Sequence, residues 1–256
     1  MARGESLVFL DADVRVHAQT LERLRHALDD ASVAAAFGSY DARPEARSWI
    51  SVYKNLAHHF VHQRSAGEAA TFWAGCGIVR ASVFRDMAGF DESYRRPSIE
   101  DVELGYRLRA AGHRILLLPE AQGTHLKEWS LRSWLRADLL DRAVPWARLL
   151  AQGRGLPGGL NFTRADRLAS GLVAAGLLGL VLSPFWPLVA VGSAGAFGLA
   201  IALDAPFLGF CARQESKAFA VASAGLQLLH RATGLLGLGI GLVLSGRRVA
   251  TLPTST

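Results

Sequence analysis

The chain is poor in cysteine: Cys76 and Cys211 are the only two in 256 residues. Two thiols are too few for a disulfide framework, so reduced cysteines are the expectation. Charge is missing from one long stretch, for no charged residue falls between Arg167 and Asp204. That excludes an ordinary solvated surface there, since such surfaces carry most of a protein's Lys, Arg, Asp and Glu. No secretory signal is expected, because the opening "MARGES" is polar and runs directly into Leu7. Acidic excess is lacking too: 28 Lys and Arg stand against 22 Asp and Glu, mostly ahead of Arg167. A basic surface beside apolar segments favours anionic lipid head groups or phosphorylated ligands over nucleic acid.

What is present begins as alternating strands and helices. "LVFLDADV" (7–14) opens with a short apolar strand, Leu7 to Leu10, suited to a sheet covered on both faces. Leu21, Leu24 and Leu28 fall on one helical face, and "VAAAF" (33–37) reads as a strand. Trp49, Val52, Tyr53, Leu56 and Phe60 recur at helical spacing, and "TFWAGCGIV" (71–79) is a strand interrupted by glycines. A helix from about Glu100 to Ala111 stops at Gly112, and "ILLLP" (115–119) is another buried strand. The alternation predicts an α/β domain over residues 1–128 with a largely parallel, sandwiched sheet.

Residues 129–165 change character. In "EWSLRSWLRADLLDRAVPWARLL" (128–150), Trp129, Trp134 and Trp146 are interleaved with Arg132, Arg136, Arg142 and Arg148. This suits an amphipathic helix lying in a membrane interface, a reading that the apolar run after it favours over a helix packed on the domain. Residues 166–256 then read as membrane. The uncharged run from Leu168 to Leu203 is too long for one crossing of roughly 20 residues and adequate for two short ones, with "SPFWP" (183–187) as the turn. Phe219 to Leu244 is a third apolar segment, interrupted by His230 and Arg231. It is either one span with a buried charge or an interfacial piece followed by a short span. Gly171, Ala175 and Gly179, and again Gly237 and Gly241, offer small residues for close helix packing.

Two constellations carry chemistry. Strand alternation would turn Asp11 and Asp13 to the same side, where two like charges need a cation or a proton between them. Hard carboxylate oxygens suit Mg²⁺ or Mn²⁺; the plainer reading is a turn in which one Asp caps a helix. A phosphatase motif of the DxDx[TV] type is disfavoured by Arg15 in its last position. The second constellation is "RRPSIEDVELGYRLRAAGHRI" (95–115). Ser98 and Asp101 have capping-box spacing, and Glu103 with Arg107 reads as an i,i+4 pair on the outer face. Asp101 shares the opposite face with Leu104, Gly105 and Leu108, so it points inward at the first helical turn, where a carboxylate can serve as general base.

"LVFLDADV", "FWAGCGIVRASVFRDMAGFDES" and "SIEDVELGYRLRAAGHRILLLPE", in this order and spacing, resemble the second half of the catalytic domain of family-2 glycosyltransferases, which have the GT-A fold. The resemblance covers about residues 4–150 and implies a partial GT-A (Rossmann-like) α/β domain followed by C-terminal transmembrane helices. It also implies the roles. Asp11 and Asp13 would bind a divalent metal on a nucleotide-sugar diphosphate, and His125 would be a third ligand or a diphosphate contact. Asp101, beside Glu100, would be the catalytic base. Trp73, Gly75, Cys76 and Gly77 would line the sugar pocket, the glycines letting backbone approach a ligand, although Cys76 by itself reads as a small core residue. Lys127 and Arg132 would neutralise phosphate, unless they belong to a solvated basic face.

The implied reaction inverts the anomeric centre, with a lipid, a lipid-linked sugar or a polysaccharide as acceptor, at the inner membrane and with the domain facing the cytoplasm. The family's base-binding half, about 90 residues ahead of the DxD strand, has no counterpart here (a size estimate). A truncated fragment, a start placed too late, or a separate chain supplying that half are the three expectations. The alternative from a different class is a non-catalytic remnant acting as a membrane interaction protein. A cytoplasmic domain with a full third span would also put Arg247 and Arg248 outside, against the positive-inside tendency.

Overall fold

The computed structural model describes residues 4–154 and 163–249. The first three residues of the polar leader, residues 155–162 of the linker and the side chains at 247 and 248 lie outside the described set. The chain divides into two compact units, residues 1–134 with 149–160, and residues 135–148 with 161–256.

In the first unit the elements run β1 (Ser6–Leu10), β2 (Val14–Val16), α1 (Thr20–Ala27), β3 (Val33–Tyr40), α2 (Trp49–Gln63), β4 (Gly67–Glu68), β5 (Cys76–Arg80), α3 (Ala81–Asp86), α4 (Glu100–Ala110) and β6 (Arg114–His125). The sheet order is β1-β5-β3-β6-β2, with β4 also on β6. Only β3 and β6 pair in parallel; β1–β5, β3–β5, β2–β6 and β4–β6 are antiparallel. The expectation of a largely parallel sheet is corrected. A central antiparallel strand buried on both faces has the same apolar letters as a parallel one, so direction does not show in the sequence. β3, antiparallel to β5 and parallel to β6, is buried at every position, so its letters cannot report either direction.

β1 differs from its expected double cover. It is an edge strand with Phe9 turned inward against Phe72, Phe84 and Phe90, while Val8 and Leu10 are 44% and 43% exposed. β1 and β2 stand at the two ends of the strand order, four inter-strand steps or roughly 19 Å apart in a flat sheet. Only Asp11–Asp13 joins them, and that much chain reaches at most about 14 Å. The sheet therefore curls until its edges meet at the acidic turn.

Leu24 of α1 and Val52, Tyr53 and Leu56 of α2 are buried as their periodicity predicts, whereas Leu21 and Trp49, at the helix starts, are exposed. Gly112 terminates α4 at a φ of 84°, a left-handed value that glycine adopts without strain. β6 runs well past "ILLLP". Its pairing with β3 slips between Phe37/Leu117 and Ser39/Gln122, the extra residues forming a bulge opposite Gly38, where a side chain would strike the Ala121 carbonyl.

Helices continue the chain as α5 (Leu131–Arg136), a π-helical stretch (Ala137–Ala143) and α6 (Val144–Ala151). Of the two readings of this segment, packing holds for its first tryptophans. Trp129 is 6% exposed and Trp134 is fully buried, the latter with its ring 5.2 Å from Tyr53. The second unit holds α7 (Arg164–Leu182), α8 (Leu188–Leu203), α9 (Ala205–Gln214) and α10 (Lys217–Val249). α7 and the 217–246 part of α10 are long and apolar enough to cross a membrane, and α8 with α9 form a pair bent by 61°. Close packing falls at Gly176 and Gly179, which face Phe197, Val189 and Ser193, and not at Gly171, which faces open space.

Candidate active site

The strand β1 ends at Leu10 and the chain turns at once, Val14 N–H donating to the Asp11 carbonyl at 3.0 Å. Asp11 and Asp13 thus sit at corners of one tight turn, and strand alternation does not apply to them. Backbone bonds staple the turn on both sides. Asp11 N–H donates to Gly75 O at 3.1 Å, and Leu126 N–H donates to Asp13 O at 2.8 Å. The first ties it to the loop before β5, the second to the chain leaving β6. Lys127 Nζ lies 3.6 Å from Asp13 Oδ2 and 4.5 Å from the Trp129 ring centre.

Asp101 enters from the first turn of α4. Its Oδ2 accepts from Ala74 N–H at 3.0 Å and its Oδ1 from Val102 N–H at 2.7 Å. The capping box with Ser98 does not form, because Ile99 takes the N-cap position. Glu100 instead accepts from Ser98 N–H at 2.7 Å, so the neighbouring acid stabilises the helix entry and leaves Asp101 to the loop. Burial pushes the Asp101 carboxyl up to about 6, the bond from Ala74 partly offsets this, and the negative charges of Glu100 and Asp11 add to the rise. Asp11 and Asp101 therefore act on one another, and consecutive loop residues tie both down, Ala74 through its N–H to Asp101 and Gly75 through its carbonyl to the Asp11 N–H.

Gly105 makes this approach possible, a role its sequence position did not reveal. A side chain there would collide with Phe72 N and come within 2.6 Å of Thr71 C, so only glycine lets α4 lie on the 71–74 backbone. Gly105→Ala is expected to cost about 1–3 kcal/mol and to lower activity more than Leu104→Val, which thins the same helix face without lifting it. Thermal melting and transfer assays on both variants check this.

Beneath the loop runs a stack of rings that sequence reading did not anticipate. Tyr40 lies 4.2 Å from the His125 ring, stacked at 16°, and 4.9 Å from Trp73. His58 packs 4.6 Å from Trp73 and 3.9 Å from His62. The signal was the "HHFVH" spacing of α2, with His58 and His62 on one face. His62 is held near pH 4, chiefly by burial, while its Nδ1 bonds the Gly38 carbonyl at 3.0 Å. The unfolded histidine titrates near 6.5, so the unfolded chain binds the proton more tightly. Stability carried by neutral His62 is complete above that value and lost toward pH 4, by about 3 kcal/mol in full. His62→Gln should flatten this part of a melting-temperature profile between pH 7 and 4.5.

The predicted residues are thus sorted. Asp11, Asp13, Lys127, Trp73, Gly75, Glu100 and Asp101 gather around the turn and the loop, whereas Arg132 is exposed on the first turn of α5. Cys76 is a core side chain, fully buried against Leu24, Ala36, Ile78 and Ala121, with burial pushing its thiol up to about 11. Its assignment to the sugar pocket is withdrawn. The glycines are corrected too: a side chain at Gly75 would meet the Trp73 indole, and one at Gly77 the Phe72 ring at 2.6 Å. They make room for the loop's own rings. Among the described residues no three His, Cys, Asp or Glu groups are arranged to hold a metal ion. The expected set of Asp11, Asp13 and His125 is not assembled, because His125 is buried in the ring stack. What remains, two hard carboxylates on an open turn, fits a cation of the Mg²⁺ kind that completes its shell with phosphate oxygens and water.

The chain is similar in sequence to known proteins. A pre-mycofactocin glycosyltransferase, found in two strains of Mycobacterium tuberculosis, is 32% identical over 135 residues. The match takes in 50% of this chain and 28% of that protein, so the chain spans about a quarter of its curated relatives. A solved mannosyltransferase from Pyrobaculum calidifontis, in complex with GDP-Man and Mn²⁺, superposes over 95% of this chain and 63% of its own, at 18% identity and a TM-score of 0.39. The sequence pattern of "Glycosyl transferase family group 2" runs through residues 6–203, more than half of the molecule, and the chain belongs to that family.

Proposed function

We propose that the chain carries the acceptor-activating part of a membrane glycosyltransferase that moves a sugar from a nucleotide-sugar donor to a lipid, lipid-linked or polysaccharide hydroxyl at the inner membrane. The observation that carries the reading is the Ala74–Gly75 peptide, one residue of which binds Asp101 and the next Asp11. The proximity of a proton acceptor and an acidic turn supports the reading.

In this reading the ionised Asp101 takes the proton of the acceptor hydroxyl. The acceptor oxygen forms a bond to the anomeric carbon while the bond to the diphosphate oxygen breaks, which inverts the configuration. Asp11 and Asp13 would hold a divalent cation, Mg²⁺ or Mn²⁺, whose charge stabilises the departing nucleoside diphosphate. Lys127, displaced from Asp13 by that ion, would turn its ammonium to the phosphates. Trp73, fixed by Tyr40 and His58, walls the acceptor side.

Donor binding tests the acidic turn. Titration of the membrane-embedded protein with a fluorescent nucleoside diphosphate should show tighter binding with Mn²⁺ than with EDTA, and Asp11→Asn should erase the difference. Binding indifferent to both would remove the acidic turn from the reaction and favour the non-catalytic alternative, for which the Lys127–Asp13 ion pair is simply structural.

A further inference from the structure

The second unit contains an antiparallel hairpin whose register is set by small residues. Gly176 of α7 faces Phe197 of α8, Gly179 faces Val189 and Ser193, and Ala169, Val173 and Ala200 are buried together. The start of α7 and the end of α8 therefore lie side by side. At that end Arg231, midway along α10, places Nη2 2.5 Å from Asp204 Oδ1 and 3.3 Å from Asp166 Oδ1, and Nη1 donates to Asp166 O at 3.2 Å. At the other end the Ser183–Pro187 turn exposes Phe185 at 76% and Trp186 at 60%.

We infer that the α7–α8 hairpin is the bilayer-crossing part of this unit and that α10, though apolar and long, does not cross but lies along the membrane surface. The inference rests on the membrane reading above. Helical rise makes α7 about 28 Å and α8 about 24 Å long, close to the roughly 30 Å of hydrocarbon. α10 is pinned by Arg231 at the polar end of the hairpin. Residues 217–230 then extend about 21 Å to one side and residues 232–246 about 22 Å to the other. The second arm is nearly as long as α8, so length alone does not set the orientation of α10; what it packs against does.

A second observation points the same way. The second arm of α10 packs lengthwise on residues 137–148. His230 Nδ1 is 3.0 Å from Asp138 Oδ2, Gly237 faces Ala143, and a side chain at Gly241 would come within 2.8 Å of Val144 O. That neighbour carries Asp138, Asp141, Arg142 and Arg148; Asp138 stays beside His230 at the polar end, but a crossing arm would draw the other three into hydrocarbon. Leu236, Leu242 and Val243, on the side away from Gly237 and Gly241, are 56%, 48% and 58% exposed. Helix α10 thus offers one face to a charged helix and the other to lipid, as an in-plane helix does. Positions 247 and 248 then stay on the side of residues 204–217, and the conflict with the positive-inside tendency disappears.

Both native cysteines are buried, so the full chain is its own blank toward a membrane-impermeant maleimide. Single cysteines at Phe185→Cys, Gln214→Cys and Ser245→Cys, in sealed vesicles of known orientation, give the test. Gln214→Cys and Ser245→Cys should label from the same face and Phe185→Cys only from the other. Labelling of Ser245→Cys from the face opposite Gln214→Cys, in a chain that resists alkaline carbonate extraction, overturns the inference and leaves the membrane reading standing. Release of the chain by carbonate overturns both.

Discussion

Asp101→Asn should abolish sugar transfer while leaving the fold intact. Loss of a general base typically lowers turnover by about 10²–10⁴-fold. The carboxyl titrates at about 6, and only its ionised form accepts a proton, so native activity should rise through that pH and level off above it. The sign for stability is opposite. A folded carboxyl raised above its unfolded value near 3.9 binds its proton more tightly in the native state. Its favourable contribution is present at low pH and is lost as pH climbs from about 4 to 6, where the ionised group costs roughly 2–3 kcal/mol. The asparagine variant escapes that cost and keeps an acceptor for Ala74 N–H but loses the one for Val102 N–H, so at pH 8 it should melt close to the native chain. Transfer assays from pH 5 to 8, paired with melting curves, check both halves. Equal transfer by the two proteins would remove Asp101 from the mechanism.

Glu103→Ala is expected to be among the most destabilising single changes in the first unit, by about 3–5 kcal/mol. The sequence placed Glu103 on an outer face, but it is 1% exposed. Arg107 Nε donates to both of its oxygens at 2.9 Å, and Arg154 Nη2 donates to Oε1 at 2.5 Å. Arg107 also donates to the carbonyls of Met87 and Gly89, so one guanidinium fastens α4 to the turn after α3. Removing the carboxylate leaves the partly buried Arg107 without its acidic partner, while Arg154 keeps Asp91 at 3.6 Å, and the change lies two residues from Asp101. Arg154→Ala leaves Arg107 in place and should cost only about 1 kcal/mol, the scale of a partly exposed pair. Melting curves of the two variants should separate clearly. A loss below that scale for Glu103→Ala would show the cluster to be incidental.

The Glu103 case shows where local reading stops. An i,i+4 spacing establishes that two side chains meet, and Glu103 and Arg107 do meet. It does not establish which face of the helix the rest of the chain covers; here Arg154, 51 residues on, closes over the pair. The same division runs through the site. That Asp101 points inward followed from its place among Leu104, Gly105 and Leu108. That it binds Ala74 required Gly105 to be seen against Thr71 and Phe72. His125 stands where the pattern put it in the chain, yet its ring belongs to a stack that includes Tyr40, Trp73 and His58, drawn from three separate segments.

The longer elements, their order and the acidic residues bracketing a glycine-bearing loop were legible in the sequence alone, because periodicity, turn residues and charge gaps are properties of neighbouring letters; the short β2, β4 and α3 were not. Strand direction, the curl that brings β1 and β2 together at Asp11–Asp13, the burial of Glu103 and the pinning of α10 by Arg231 were decided only by the tertiary structure. Each depends on contacts between residues far apart in the chain, and no local pattern encodes which distant backbone or charge will arrive there.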